Sequence, residues 1–163
     1  MNIYLKKSEL DEPVETFNLV QEMVDEKWLP IKTITPEEFS EYLKNLHDED
    51  LGINLEDVGV PQTTYWFYID GEPCGMLLIR RTMNETLLKN EGQIAYYIKK
   101  SYRQKGYGGK ILFLCLDLLR KEGANRILIT CNTANTASKK IIENNMGVFE
   151  NIVDGVRRYW IEL

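Results

Sequence analysis

One short stretch of this sequence combines glycines with basic residues. It reads Arg103-Gln104-Lys105-Gly106-Tyr107-Gly108-Gly109-Lys110. An apolar segment typical of a strand, residues 94–98, precedes it, and apolar residues at helical spacing follow it from Ile111. A helix start leaves backbone N–H groups without partners and carries partial positive charge, and glycine lets a ligand approach that backbone closely. The stretch therefore has the ingredients of an anion site, with phosphate as the expected ligand.

Two widespread phosphate motifs do not account for this stretch. A P-loop would need glycine where the chain has Gln104, and Ser or Thr where it has Ile111. A dinucleotide fingerprint would need its third glycine at Ile111, and residues 99–103 separate the strand from the first glycine. What remains is the pattern Arg-x-x-Gly-x-Gly between a strand and a helix.

The other residue types that commonly carry chemistry are sparse. Cys74, Cys115 and Cys131 lie far apart within apolar segments, and the single histidine, His47, lies among acidic residues. This spacing matches neither a metal site nor a redox pair, so we expect buried free thiols in a reducing cytoplasm and no bound metal. We expect His47 to be solvated at a helix end.

Hydrophobic periodicity predicts eleven elements in the order β, α, α, β, β, β, α, β, α, β, β. The second helix follows Thr35, which with Glu38 has the pattern of a capping box. Asp70-Gly71 and Asp154-Gly155 each separate two strand-like runs, which predicts two hairpins. The strand, helix and strand between residues 93 and 131 predict a βαβ unit with parallel neighbouring strands.

The segments between these elements are predicted to be loops. Residues 51–62 contain glycine and Pro61 without clear periodicity, and residues 80–92 are polar. The first helix is predicted over residues 13–27 and the third over residues 106–122, with Gly123 as its C-terminal stop.

The composition is that of a soluble globular protein, with 163 residues of which 44% are hydrophobic and 28% are charged. The length predicts one domain, residues 1–163, and no apolar run reaches the roughly 20 residues of a membrane span. The first residues become polar at once, so no secretory leader is expected. The net charge of -5 argues against nucleic-acid binding as the main function. We expect a cytoplasmic protein with neither a nucleic-acid nor a membrane partner.

The glycine motif and the element order together resemble the GNAT superfamily of acyl-CoA-dependent N-acetyltransferases. That family carries a pyrophosphate motif between its fourth strand and third helix, and Asn135-x-x-Ser138 resembles the Asn-x-x-Ala/Ser after its fifth strand. Tyr65-Trp66, Ile94-Ala95-Tyr96 and Tyr159-Trp160-Ile161 resemble segments of predicted bacterial members. The likeness is specific over residues 60–163. It implies an α/β fold with a mixed sheet, about seven strands and four helices, in which strands four and five splay apart.

This resemblance implies acetyl-CoA as co-substrate, with its pantetheine arm in the gap between strands four and five. Backbone N–H groups of the glycine loop would hold the pyrophosphate, and the N–H of Ile98, or of a residue next to it, would stabilise an oxyanion. Gly108→Val would then abolish coenzyme A binding and leave the helix folded. The implied cofactor-binding residues are Ile98, Arg103, Gln104, Lys105, Gly106, Tyr107, Gly108, Gly109, Asn135 and Ser138, and Lys139 or Lys140 could reach the nucleotide phosphate.

Acetyl transfer to an amine needs a base and a proton for the leaving thiolate. Family members often place a carboxylate near the start of strand four, where this chain has Glu91, and Tyr97 is a second candidate that could relay a proton. Six or seven extended residues put Glu91 about 20 Å from the splay point, so water or strand curvature must help. Many members have a tyrosine acid where this chain has Ile142. The alternatives for protonating the thiolate are water, Tyr102 and Tyr159.

Three functions therefore remain open. The first is an N-acetyltransferase that acts on a small amine, an amino acid or a peptide amine of unknown identity. The second is a non-catalytic acyl-CoA-binding or sensing module on the same fold, motivated by Ile142, and a structural domain without coenzyme A is a third. Acidic residues of the second helix would suit a cationic acceptor. The terminal aromatic strand could form a homodimer if it lies at a sheet edge.

Overall fold

The computed structural model describes residues 1–55 and 59–163, and the elements in these ranges follow the expected order. The predicted loop at residues 51–62 includes residues 56–58, which lie outside the described residues. The mixed α/β fold with seven strands and four α-helices is confirmed. The strands are β1 Ile3–Lys7, β2 Thr63–Ile69, β3 Glu72–Ile79, β4 Ile94–Ile98, β5 Arg126–Asn132, β6 Val148–Val153 and β7 Val156–Glu162. The α-helices are α1 Val14–Asp25, α2 Phe39–Asp50, α3 Tyr107–Lys121 and α4 Thr136–Asn144.

The strands form two antiparallel sheets, ordered β1-β2-β3-β4 and β5-β7-β6. The resemblance implied that β4 and β5 splay apart, and this is confirmed, since β4 pairs antiparallel with β3 and β5 pairs antiparallel with β7. The two strands meet just before β4, where the N–H of Gln93 donates to the C=O of Leu128 at 2.8 Å. The side-chain oxygen of Gln93 accepts from the N–H of Leu128 at 2.9 Å. Beyond this point no ladder joins β4 to β5 in the described part of the chain, so a gap separates the two sheets.

The terminal strand β7 lies in the middle of its sheet. Its register pairs Tyr159 with Ile129 of β5 on one side and with Phe149 of β6 on the other. Both hydrogen-bonding sides of β7 are therefore occupied within the chain. The expectation that this aromatic strand pairs with a second copy at a sheet edge is wrong, because β6 is the outer strand.

The first sheet is buried on both faces because helices pack against each of them. Helices α1 and α2 cover one face, where Trp66 and Tyr97 lie in the core. Helix α3 covers the other face, where Phe67 and Ile98 lie in a second core with residues of β5 and β7. Side chains of a strand alternate between faces, so neighbouring residues enter different cores. On β4 this alternation sends Tyr97 toward α1 and Ile98 toward α3.

Local sequence signals account for most of the element boundaries. The capping box before α2 forms, with the N–H of Thr35 donating to Glu38 Oε2 at 2.8 Å and the N–H of Glu38 donating to Thr35 Oγ1 at 3.4 Å. The helix itself begins one turn later, at Phe39. Residues 80–92, predicted as a loop, contain a short π-helix, Leu87–Glu91. Within the described ranges, no helix is both long and apolar enough to cross a membrane.

Candidate active site

The glycine-rich stretch forms the turn that leads into α3. Gln104 and Gly106 adopt left-handed φ values of 60° and 81°, and Gly106 is the N-cap residue of the helix. Among the described residues, no side chain caps this helix. The N–H groups of its first turn therefore face the helix mouth without a side-chain acceptor, which is the geometry of an anion site.

The three glycines of this turn have three different roles. Gly106 needs its left-handed φ, and an added Cβ there would meet nothing within 4 Å. A Cβ on Gly108 would lie 2.5 Å from Cδ1 of Ile141, so α4 fills the space beside this glycine. Gly108→Val would require the end of the Ile141 side chain to move, and its effects on the helix and on coenzyme A binding stay predictions. A Cβ on Gly109 would meet nothing within 4 Å, and its φ is not left-handed. Neither packing nor backbone conformation requires glycine at Gly109.

A cleft of about 670 Å³, the larger cleft, lies between this turn, the end of β4 and the start of α4. It brings together nearly all the predicted cofactor-binding residues. Lys105 is an exception, and its ammonium donates to the C=O of Ser101 at 2.8 Å. Lys139 and Lys140 do not line the cleft either. The predicted residues that do line it are Ile98, Arg103, Gln104, Gly106, Tyr107, Gly108, Gly109, Asn135 and Ser138.

The backbone of β4 presents polar groups to the gap. The N–H of Lys99 donates to the C=O of Cys74 at 2.8 Å, so odd-numbered residues at this end of the strand face β3. Backbone groups alternate sides along an antiparallel strand, so those of Tyr96 and Ile98 face the gap. The N–H of Ile98, the expected oxyanion donor, therefore lies on the cleft side. The C=O of Ile98 accepts from Nε of Arg103 at 2.9 Å.

The Asn-x-x-Ser motif forms the start of α4 beside the gap. Asn135 is the N-cap residue, and its Oδ1 accepts from the N–H of Ser138 at 3.0 Å. The hydroxyl of Tyr96 on β4 donates to Ser138 Oγ at 3.4 Å, which links β4 to α4. Burial raises the pKa of Tyr96, so its hydroxyl keeps its proton at neutral pH. Sequence reasoning missed Tyr96 as a site residue. Tyr96 lies two residues before Ile98 on the same strand, and this spacing in the sequence indicated that the two residues share a side of the strand.

The structure does not bring the two expected tyrosine acids to this cleft. The hydroxyl of Tyr102 donates to Glu72 at 2.7 Å, and that of Tyr159 donates to Glu143 at 3.0 Å. Ile142, which stands where many family members have tyrosine, is fully buried in the core. Tyr96 lines the cleft instead.

Tyr97 lines the larger cleft, and its hydroxyl reaches toward the end of α1. Its hydroxyl lies within hydrogen-bonding distance of the carboxylates of Glu22 and Glu26. Arg103 pairs with Glu26, and its guanidinium lies 5.1 Å from the centre of the Tyr97 ring. The Arg103 guanidinium holds the pKa of Glu26 below its usual value, whereas burial raises the pKa of Tyr97. The cluster joins α1 to the segment between β4 and α3 at the mouth of the larger cleft.

A smaller cleft of about 350 Å³ adjoins the larger one near the start of β4. The two clefts share four lining residues, Trp28, Tyr96, Asn135 and Ser138. Glu91, the expected base, also lines the smaller cleft, at the end of the π-helix. The expected base and Tyr96 therefore line the same smaller cleft, and Tyr96 also lines the larger one.

The family comparison agrees with this geometry. A model of the acetyltransferase (GNAT) family matches residues 22–148. The chain belongs to this family. No curated protein matches the sequence significantly.

Solved structures show the same GNAT fold at low sequence identity. RimL, a ribosomal L7/L12 alpha-N-protein acetyltransferase in complex with coenzyme A, is 18% identical with a TM-score of 0.71, over 99% of this chain and 94% of that one. RimJ of Mycobacterium smegmatis, in complex with CoA-disulfide, is 17% identical with a TM-score of 0.71, over 98% and 81%. A GNAT acetyltransferase of Streptococcus pneumoniae is 17% identical with a TM-score of 0.65, over 99% and 100%. At this level of sequence identity, the similarity to these proteins is a similarity of fold.

In this GNAT protein, distant segments hold Glu91 in place. The hydroxyl of Thr130 on β5 donates to the C=O of Glu91 at 3.0 Å, and Arg158 on β7 donates to the C=O of Leu88 at 2.8 Å. Gly92 follows with a φ of 71°, and a Cβ there would lie 3.0 Å from the C=O of Leu128. The absence of a side chain at Gly92 lets the start of β4 approach β5 at the closed end of the gap. This contact between the sheets sets where Glu91 lies.

Proposed function

We propose that this GNAT protein transfers an acetyl group from acetyl-CoA directly to a primary amine. The observation that carries the proposal is the gap between β4 and β5, with backbone groups of Tyr96 and Ile98 along it and the uncapped start of α3 at its end. A diphosphate fits the helix mouth and an amide-rich arm fits the exposed backbone. Solved proteins of the same fold that carry coenzyme A support this assignment.

The proposed binding mode divides the larger cleft into two parts. The N–H groups of residues 104–109 hold the diphosphate, and the backbone of β4 pairs with the amides of the pantetheine arm. Arg103 flanks the diphosphate, because its guanidinium is already shared between Glu26 and the C=O of Ile98. The thioester then lies beside the N–H of Ile98, near Tyr96.

The proposed reaction uses groups on both sides of the thioester. The amine nitrogen attacks the carbonyl carbon, and the N–H of Ile98 stabilises the oxyanion that forms. Glu91 accepts the amine proton, through water where the distance requires it. The C–S bond then breaks, and the Tyr96 hydroxyl gives its proton to the thiolate. Tyr96 regains a proton from solvent, and Glu91 releases the amine proton to solvent. Tyr97 supports the strand through its bonds to α1 carboxylates.

A second candidate function is binding or sensing of acyl-CoA without turnover. The observation that favours it is Ile142, which is buried in the core and has no proton to give. Tyr96 supplies a hydroxyl at the cleft, which favours catalysis over sensing. A cytoplasmic location remains a prediction from composition alone.

Two measurements on the purified chain test the proposal. Thiol release from acetyl-CoA across a panel of amines reports turnover, and calorimetric titration with coenzyme A reports binding. We expect both binding and amine-dependent thiol release. Tight binding without release on any amine would favour the sensing module, and absence of binding would exclude both functions.

A further inference from the structure

The smaller cleft contains a buried arginine that the proposed reaction does not use. Arg80, directly after β3, lines this cleft and is 9% exposed. Its Nε donates to Oε1 of Gln62 at 3.1 Å, and its Nη1 donates to the C=O of Gly92 at 3.4 Å. Its Nη2 makes no hydrogen bond to any residue in the described part of the chain. One face of the guanidinium fork is therefore open to a ligand.

The partners of Arg80 leave its charge without direct compensation. Gln62 and the C=O of Gly92 are neutral, and within the described ranges no carboxylate forms a salt bridge with this arginine. Glu91 and Glu49 act on it only through space, and burial lowers the pKa of Arg80. A buried guanidinium without an anionic partner is costly, and its planar fork matches a carboxylate. The site is therefore suited to an anionic group from outside the chain.

We infer that the smaller cleft binds acceptors that carry a carboxylate as well as the reacting amine, amino acids being the class that fits. Arg80 binds the carboxylate, and Glu91 faces the amine. This inference rests on the proposed function, because it names the acceptor class for the same site.

The two charges and the size of the cleft favour an amino acid over a simple amine. Arg80 and Glu91 line the same cleft with opposite charges, which complements a zwitterion. Its volume of about 350 Å³ is at the lower end for small-molecule sites. Apolar lining from Trp28, Ile94 and Val156 offers a surface for the amino-acid side chain.

The test compares free α-amino acids with their carboxamides, which keep the amine and lose the negative charge. Calorimetric titration in the presence of coenzyme A measures acceptor binding without requiring turnover. A bond to a charged partner implies that the wild-type chain binds the acid roughly 10- to 100-fold more tightly than the amide. Arg80→Met should remove this preference. Arg81→Met is the matched control, because Arg81 pairs with Glu122 and lies outside the smaller cleft.

A second variant separates recognition from folding. Arg80→Lys keeps the charge and loses the fork, so we expect an intermediate preference with unchanged coenzyme A affinity. Equal binding of acid and amide by the wild type would overturn the inference. Acetylation of amides as fast as acids would also overturn it and leave the proposed function standing. Selective acid binding without any thiol release would support the recognition and overturn the proposed function.

Discussion

Single residues decide how the larger cleft meets a ligand. Gly108 and Gly109 are neighbours in α3, yet an added methyl group would clash with Ile141 at the first and meet open space at the second. The sequence does not distinguish these two glycines. The difference makes Gly109 the residue at which ligand binding and stability can be separated.

Gly109→Ala should raise stability and weaken coenzyme A binding together. Alanine in a helix is more favourable than glycine by about 0.5–1 kcal/mol, so the free energy of unfolding should rise by up to about that amount. The methyl group would occupy the space through which we propose the diphosphate approaches the helix, so affinity should fall at least about 10-fold, or about 1.4 kcal/mol. Urea unfolding and calorimetric titration measure the two effects.

Gly108→Ala is the matched control for this prediction. Its Cβ would lie 2.5 Å from the end of the Ile141 side chain, so we expect lower stability, which Ile141→Val should partly restore. Unchanged coenzyme A affinity in Gly109→Ala would mean that the diphosphate does not lie against this turn.

Tyr96→Phe should lower kcat about 100-fold and leave coenzyme A affinity within about threefold, because a proton donor contributes on this order. Since the pKa of Tyr96 is raised, its deprotonation should not lower wild-type kcat until above about pH 10. Tyr102→Phe and Tyr159→Phe serve as controls, because those hydroxyls bond to Glu72 and Glu143 away from the cleft. An unchanged kcat in Tyr96→Phe would exclude it as the acid.

At the scale of elements, the asymmetry of β4 defines the site. One edge of this strand pairs with β3, and the other faces the gap beyond the backbone contact between Gln93 and Leu128. Gly92 permits that contact, and bonds from β5 and β7 hold the π-helix before it. The gap is therefore closed at one end and open toward α3.

Amide exchange along β4 should reveal this asymmetry. Without ligand, the N–H groups of Tyr96 and Ile98 should exchange faster than those of Ala95 and Tyr97, which face β3. Adding coenzyme A should slow exchange at Tyr96 and Ile98 by at least about 10-fold if its arm pairs with this edge. Exchange resolved by NMR measures each position. Equal slowing at all four amides would indicate global stabilisation instead of pairing at the gap.

At the scale of the whole molecule, two clusters of carboxylates and tyrosines join distant segments to residues 99–103. Glu26 pairs with Arg103 and Tyr97, and Glu72 pairs with Lys99 and Tyr102. Hydrogen bonds from Arg103 and Lys99 lower the pKa values of Glu26 and Glu72, respectively. A carboxyl group whose pKa is lower in the folded state stabilises the fold at pH values above its unfolded-state pKa of about 4.3. This stabilisation is lost as the pH falls through the folded-state pKa.

Glu26→Gln combined with Glu72→Gln should therefore flatten the acid side of the stability profile. Glu26 and Glu72 side chains are 29% and 43% exposed, so each pair should contribute only about 0–1 kcal/mol at neutral pH. Urea unfolding from about pH 7 to about pH 3 should show a smaller loss for the double variant than for the wild type. Parallel profiles would mean that these pairs do not affect acid stability.

The same clusters predict a loss of stability at high pH. Burial raises the pKa of Tyr97, and the bond to Glu72 raises the pKa of Tyr102. A tyrosine whose pKa is higher in the folded state stabilises the fold at pH values below its unfolded-state pKa of about 10. This stabilisation is lost as the pH rises through the folded-state pKa. Tyr97→Phe should reduce the alkaline loss measured by urea unfolding, and a wild-type-like loss in that variant would contradict the assignment.

The sequence by itself determined the order of elements, the two Asp-Gly hairpins and the position of the glycine turn at the start of α3. These features depend on residues close together in the chain, where periodicity and turn chemistry act directly. Only the tertiary structure decided that the contact between β4 and β5 lies at Gln93 and Leu128, that Ile141 fills the space beside Gly108, and that Tyr96 reaches Ser138. The buried charge of Arg80 also depends on a distant partner, Gln62. Such contacts join residues that lie far apart in the sequence, and local sequence patterns do not indicate which distant residues are in contact.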